Sequence, residues 1–198
     1  MTDTTKTIAV DLDDTLNNFT ETLLKTNFAY DERFSVTRPV FDEYLKRVRS
    51  GAAEDEDLLS TEYSFFRTKI HLECYRRATA RPDAVAFMQW LRREHWRIVI
   101  CTHRDLRVAY PCTKAWLDEN GIPFDWIFRA GNKIVFCRLW GIPTLIDDNF
   151  FPIEYGGRYG VNVFYPIHDH NRTLGGDRVG DGARGFTTFD EVKSWIQR

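Results

Sequence analysis

Thr7-Ile8-Ala9-Val10-Asp11-Leu12-Asp13-Asp14-Thr15 is a short β-branched run that stops abruptly in acid. A buried strand ending at a polar terminus fits this pattern. The pattern returns at Ile98-Val99-Ile100-Cys101 before Thr102, at Thr144-Leu145-Ile146 before Asp147, and at Val161-Asn162-Val163-Phe164-Tyr165 before Pro166. Continuous rather than alternating hydrophobicity is the habit of parallel strands covered by helices on both faces. Between these runs, Pro82 to His95 opens with Pro at a first helical position and carries Val85, Phe87, Met88 and Leu91 on one face, with Trp90 beside it. Lys114 to Asn120 reads as a helix closed by Gly121 and barred from continuing by Pro123. Asn132 to Leu139 and Phe189 to Gln197 read as two more. The alternation predicts an α/β fold, a doubly wound, Rossmann-like parallel sheet whose ligands lie beyond the carboxyl ends of its strands.

The interval between Val10 and Ile98 far exceeds the roughly 30 residues of a strand-helix-strand unit, and only Pro82 to His95 is needed as its crossover. The surplus reads as a small helical cap, residues 19–81, inserted after the first strand, with 1–18 and 82–198 forming the core. Phe19 to Tyr30, Val40 to Arg49 and Glu62 to Arg77 carry helix-compatible apolar spacing, as in Phe41, Tyr44, Leu45 and Val48. Ser50 to Asp57 reads as a solvated acidic loop within the cap. Gly175 to Gly185 has too little apolar content to pack and reads as a mobile loop.

The 198 residues suit one main domain, and 27 Lys and Arg against 29 Asp and Glu leave a formal charge of −2. That balance argues against a generic nucleic-acid binder or a membrane-surface protein, both of which favour a strong basic excess. No apolar run approaches the roughly 18 residues of a membrane span, and the polar, threonine-rich start does not read as a leader, so a cytoplasmic location is expected. Cys74, Cys101, Cys112 and Cys137 show no C-x-x-C pairing and sit in or beside apolar runs. Buried, reduced thiols are expected rather than a disulfide or zinc site.

D-x-D-x-T at Asp11 to Thr15 resembles the first motif of the haloacid dehalogenase superfamily of phosphotransferases. Thr102 is similar to its second motif, Lys133 opening a short helix to its third, and Asp147-Asp148 after a strand to its fourth. Within the superfamily, the segments Ile8 to Phe19 and Arg97 to Arg172 resemble the 5′(3′)-deoxyribonucleotidases, which have a small helical cap and a late segment like His170-Asn171-Arg172.

The resemblance implies a phosphomonoesterase acting on nucleoside monophosphates through an aspartyl-phosphate on Asp11. Uncatalysed hydrolysis of phosphate monoesters is so slow that on the order of 20 kcal/mol of barrier must be removed, mostly by electrostatics. It implies Mg²⁺ held by Asp11, the backbone carbonyl of Asp13, and Asp148, with Asp147 a secondary or alternate ligand. The Asp13 side chain is then free to protonate the leaving oxygen and to deprotonate the attacking water. Thr102 and Lys133 would hold the phosphoryl group, Thr15 would belong to the phosphate-loop scaffold or cap a helix, and Phe19 would line the base pocket.

The chain departs from the family at Asp14 and Thr15, where Gly and Val are usual, and at His103, where serine is usual. Those changes bear on sugar preference and phosphate contacts. His103 and Arg104 are open to two readings, phosphate contact or solvent. His168 and His170 flank Asp169 but, one residue apart on an extended segment, point to opposite faces and suit a surface loop rather than a metal. The expected partner is a small phosphomonoester, with no stable nucleic-acid binding and no membrane; a homodimer is left open. The alternatives are a phosphatase for a sugar phosphate or for a nucleic-acid 3′-phosphate end, the latter needing an open groove with Arg67, Lys69, Arg76 and Arg77, and a silent ligand-binding module.

Overall fold

The apolar runs do form the centre of a sheet. The computed structural model describes residues 6–26, 42–43, 46, 69–169, 171–172 and 182–197. Among these residues the strands are β1 (Thr7–Val10), β2 (Arg97–Thr102), β3 (Trp126–Arg129), β4 (Thr144–Ile146), β5 (Asn162–Pro166) and β6 (Ala183–Phe186), ordered β3-β2-β1-β4-β5-β6. Every pairing is parallel. The helices are α1 (Phe19–Lys25), α2 (His71–Arg77), α3 (Pro82–Arg93), α4 (Leu106–Glu119), α5 (Lys133–Leu139), α6 (Phe150–Tyr155) and α7 (Phe189–Ile196).

Strand alternation divides the core into two layers. Ile8, Val10, Ile98, Ile100, Ile146 and Phe164 pack against Phe87, Met88 and Leu91 of α3, Trp116 and Leu117 of α4, and Phe189 and Val192 of α7. On the other face, Ala9, Val99, Cys101, Leu145 and Val163 pack against Ile134 and Cys137 of α5 and Ile153 of α6. Burial on both faces explains why these strands read as unbroken apolar runs; a fully buried Ile or Leu side chain contributes about 1.5–3 kcal/mol. All four cysteines are free. They are also buried, as their apolar settings suggested. No described helix is long and apolar enough to cross a membrane.

Several boundaries differ from the sequence expectations. The helix expected from Lys114 begins at Leu106, where Asp105 accepts a hydrogen bond from the Arg107 amide, and it continues through Pro111. It ends at Glu119 with Asn120 as its cap and Gly121 beyond at φ +62, the left-handed conformation that favours glycine. The helix expected from Phe19 to Tyr30 is described only to Lys25, with Thr26 as its cap. β3 and α6 were not expected, and Ala183-Arg184-Gly185, expected in a loop, belong to β6 and pair with Phe164, Tyr165 and neighbouring residues of β5. Of Val40 to Arg49 only positions 42, 43 and 46 are described, and they are helical. Residues 50–68, including Ser50 to Asp57 and Arg67, and residues 173–181 lie outside the described residues, as does His170.

The two ends of the expected insertion meet. Asn17 bridges Ala80 in antiparallel fashion, Asn18 N–H donates to the Thr79 carbonyl, and Arg81 N–H donates to the Leu16 carbonyl. The backbone at 16–18 and at 79–81 is thus hydrogen-bonded side by side.

Candidate active site

Register brings the acidic strand ends together. Val10 lies opposite Ile146, and the Asp11 amide continues the ladder by donating to the Ile146 carbonyl at 2.9 Å. Asp11 and Asp147 thus leave adjacent central strands at one level. With Asp148 they place three carboxylate oxygens within 4.8 Å of one another.

Lys133 is the first residue of α5, whose N-cap Asn132 accepts from the Val135 amide. Its ammonium, 2% exposed, lies 2.9 Å from Asp11 Oδ1 and 2.8 Å from Asp147 Oδ2. The Asn149 amide donates to Asp147 Oδ1 at 3.0 Å, while Thr15, buried and away from any helix start, donates its hydroxyl to Asp148 Oδ1 at 3.3 Å. Burial would depress Lys133, but Asp11 and Asp147 outweigh it and hold the ammonium above the usual lysine range. Burial likewise drives Asp11 well above the carboxylate range, with Lys133 opposing and Asp147, Asp148 and Asp13 adding to the rise; Asp147 is raised for the same leading reason. Three clustered carboxylates beside one ammonium leave a formal surplus of two negative charges in the cluster. Oxygen donors with that surplus suit a hard divalent cation such as Mg²⁺.

Asp13 and Asp14 take other directions. The Asp13 carboxylate, expected to be free, accepts from Arg104 Nε at 2.9 Å and from Arg104 Nη2 at 2.5 Å, and Asn17 Nδ2 adds a contact to Oδ1 at 3.3 Å. Arg104 therefore faces neither phosphate nor solvent. Asp14 sits at φ +56, tolerable for Asp because a short polar side chain can bond locally. Its carboxylate accepts from both the amide and the hydroxyl of Thr20 at 2.8 and 2.5 Å. Burial and then Asp148 raise the Asp14 carboxyl to about 6 against the pull of Thr20.

The segment after β5 fastens these loops from below. His168 Nε2 lies 2.6 Å from the Asp14 carbonyl oxygen, so that nitrogen donates. Asn171, 1% exposed, donates to the carbonyls of Asp148 and Pro166 at 3.3 and 2.9 Å and accepts from the His168 amide at 2.7 Å. His168 lies half-buried in the loop after β5 and anchors it to the Asp14 turn. Asn171 carried a signal in the sequence only as part of the late His170-Asn171-Arg172 resemblance.

Thr102 ends β2 fully buried, its hydroxyl oxygen accepting from the Arg104 amide at 3.1 Å. His103 is exposed at the mouth of a cavity of about 270 Å³ shared with Asn132, Lys133, Asn149 and Phe151. Loss of solvent around its ring, then Lys133 and Arg129, push the imidazole down to about 4. Phe19 opens α1 half-buried, its ring centroid 5.2 Å from Tyr75 and 5.4 Å from His71 of α2. The structure thus gathers Asp11, Asp147, Asp148, Lys133 and Thr15 into one cluster, links Asp13 with Thr102 through Arg104, and sets Phe19 in an aromatic group between α1 and α2.

No protein-family model and no curated protein sequence matches this chain. Its fold is nonetheless similar to solved structures along nearly its whole length. A haloacid dehalogenase-like hydrolase from Streptococcus pneumoniae aligns at 14% identity over 98% of this chain and 99% of that one, with a TM-score of 0.62. A D,D-heptose bisphosphate phosphatase from B. bronchiseptica, complexed with magnesium and phosphate, aligns at 13% identity over 97% and 98%, TM-score 0.54. An L-2-haloacid dehalogenase from Xanthobacter autotrophicus, with chloropropionic acid covalently bound, aligns at 14% identity over 98% of each chain, TM-score 0.56. At these identities the likeness is one of fold.

Proposed function

We propose that the chain is a phosphomonoesterase of the haloacid dehalogenase superfamily, that it uses Mg²⁺, and that its substrates are nucleoside monophosphates. The observation that carries the chemistry is the buried Lys133 ammonium bridging Asp11 and Asp147 beside Asp148 at the ends of central strands. The similar folds of a phosphatase complexed with magnesium and phosphate and of a dehalogenase with a covalently bound acid support it.

Asp11, Asp147 and Asp148 would hold the ion, which when bound neutralises the carboxylates and the phosphate they must admit. Asp11 supplies the nucleophilic oxygen, with Lys133 orienting Oδ1 and balancing its charge. Asp13, held beside it by Arg104, passes the proton to the leaving oxygen and takes one from the attacking water. Thr102 and Lys133 meet the phosphoryl oxygens, and Thr15 positions Asp148. The segment 19–81 would serve as the cap over the substrate. The aromatic group of Phe19, Tyr75 and His71 supports a planar base, since stacking on an aromatic is worth about 1–3 kcal/mol per base. Of the cations that an open polynucleotide groove would use, Arg77 is paired with Glu73 at 3.0 Å.

The deciding experiment is phosphate release across ribo- and deoxyribonucleoside monophosphates beside sugar phosphates, with Mg²⁺ or with chelator. Selective, Mg²⁺-dependent release from nucleotides is expected. A flat profile removes the nucleotide reading, and undiminished activity of Asp11→Asn removes the nucleophile.

A further inference from the structure

Arg104 is a large cation with no exposed side-chain surface, held against a carboxylate that keeps 21% of its own. Its Nε and Nη2 take one oxygen of Asp13 each, Nη1 donates to Thr113 of α4 at 3.1 Å, and its guanidinium carbon lies 3.8 Å from the centroid of the Tyr75 ring of α2. Its own amide is tied to Thr102 at the end of β2. Every direction of the guanidinium is thus set by the core or by an inserted helix, and its open side faces Asp13. A planar fork fixes a carboxylate in rotation as well as position, which a single ammonium cannot do.

We propose that Arg104 is the positioning residue for Asp13 and that the Tyr75 ring sets the plane of its fork, so that an inserted helix takes part in aiming the proton-transfer group. This rests on the phosphomonoesterase reading. Each carboxylate oxygen has two lone pairs. Oδ1 accepts from both Arg104 and Asn17 and Oδ2 from Arg104, so the fork and the Asn17 amide together fix the plane of the Asp13 carboxylate. In the first step the Asp11 oxygen bonds to phosphorus, the bond from phosphorus to the leaving oxygen breaks, and that oxygen takes the proton from Asp13. In the second, water attacks phosphorus, the Asp11–phosphorus bond breaks, and Asp13 takes the water's proton.

The two steps respond differently to the leaving group. p-Nitrophenolate departs as a stable anion without taking a proton, Asp13 then releasing its proton to solvent, while the second step needs the Asp13 carboxylate as base for every substrate. Disturbing the aim of Asp13 should therefore stall p-nitrophenyl phosphate at the aspartyl-phosphate. The test is rapid-mix kinetics of the full chain with Mg²⁺ and p-nitrophenyl phosphate, comparing wild type with Arg104→Lys and Tyr75→Leu. Both variants are expected to show a burst near one phenolate per enzyme, then a steady rate about 10- to 100-fold below wild type, with phosphoenzyme trapped by acid quench. A positioned acid or base supplies about 10²–10⁴-fold, and a displacement near 1 Å can cost about 10²-fold. Tyr75→Phe, which keeps the ring, should recover the steady rate relative to Tyr75→Leu. Burst and steady rates that fall in proportion mark a merely structural role and overturn the proposal, as does an unchanged steady rate. Should Arg104→Lys not fold, Tyr75→Leu, which keeps both charges, decides the matter alone. Failure of the wild type on every phosphomonoester removes the functional reading itself, a result distinct from an active wild type with unaffected variants.

Discussion

Lys133 answers two buried carboxylates with one ammonium, so its loss has consequences for stability before any for catalysis. Breaking one side of a buried ion pair costs about 3–5 kcal/mol because the remaining charge is stranded. Lys133→Met should accordingly lower the unfolding free energy by that order in chelator. Adding Mg²⁺ should recover part of the loss, since a ligand for the native state alone stabilises it by mass action. Urea titrations with and without the ion check both. His103 makes a prediction of opposite type. With its folded-state value near 4, below the ordinary 6.5, the imidazole is neutral at physiological pH and brings no charge to an incoming phosphate. The unfolded chain binds the extra proton between those values, so this residue's contribution to stability is present above about pH 6.5 and declines as pH falls toward 4. Remaining solvent contact reduces that contribution, and an imidazole NMR titration tests the value directly; a midpoint at or above 6.5 would show that the ring is not desolvated. Asp14 explains its own departure from the glycine usual in the resembling family: it occupies the left-handed conformation and bonds Thr20 while its carbonyl receives His168. Asp14→Gly should keep the turn but detach α1 from it, seen as faster amide exchange at Thr20.

At the scale of elements, β1, β2, β4 and β5 were legible because interior strands buried on both faces must be apolar throughout. β3 and β6 are edge strands; Trp126 and Arg129 are exposed, and of Ala183 to Gly185 the one long side chain, Arg184, is exposed. No periodicity distinguishes such strands from loops. α4 was concealed by Pro111, which deprives the Arg107 carbonyl of its intrahelical donor. Its buried face of Ala109, Cys112, Thr113, Trp116 and Leu117 overrides that break. Pro111 is exposed, so Pro111→Ala should stabilise the protein, by about 1–2 kcal/mol after allowing for the freer unfolded chain, measured by urea denaturation. Gly156 shows the opposite constraint: a Cβ there would lie 2.3 Å from Val163 Cγ2 and 2.8 Å from the Pro152 carbonyl. Gly156→Ala should cost about 1–3 kcal/mol through overpacking between α6 and β5.

Across the whole molecule, the residues resembling four motifs converge because the sheet order sets their strands side by side. The acids and Lys133 could be read from the sequence because each occupies the terminus of an element. The hydrogen-bonded supports could not, since Thr15 meets Asp148, Arg104 meets Asp13 and Asn171 meets Asp148 across long sequence separations that no local pattern encodes. The sheet order also governs when the site can exist. β1, although first in the chain, is central and pairs with β2 and β4, so its hydrogen-bonding edges stay unmet until both have been made. At a synthesis rate of about 5–20 residues per second, Asp11 waits on the order of ten seconds for the Ile146 carbonyl that receives its amide. Distant pairing of this kind slows folding, and it also means that the nascent chain holds no assembled acid cluster until Ile146 and the two acids after it have left the ribosome.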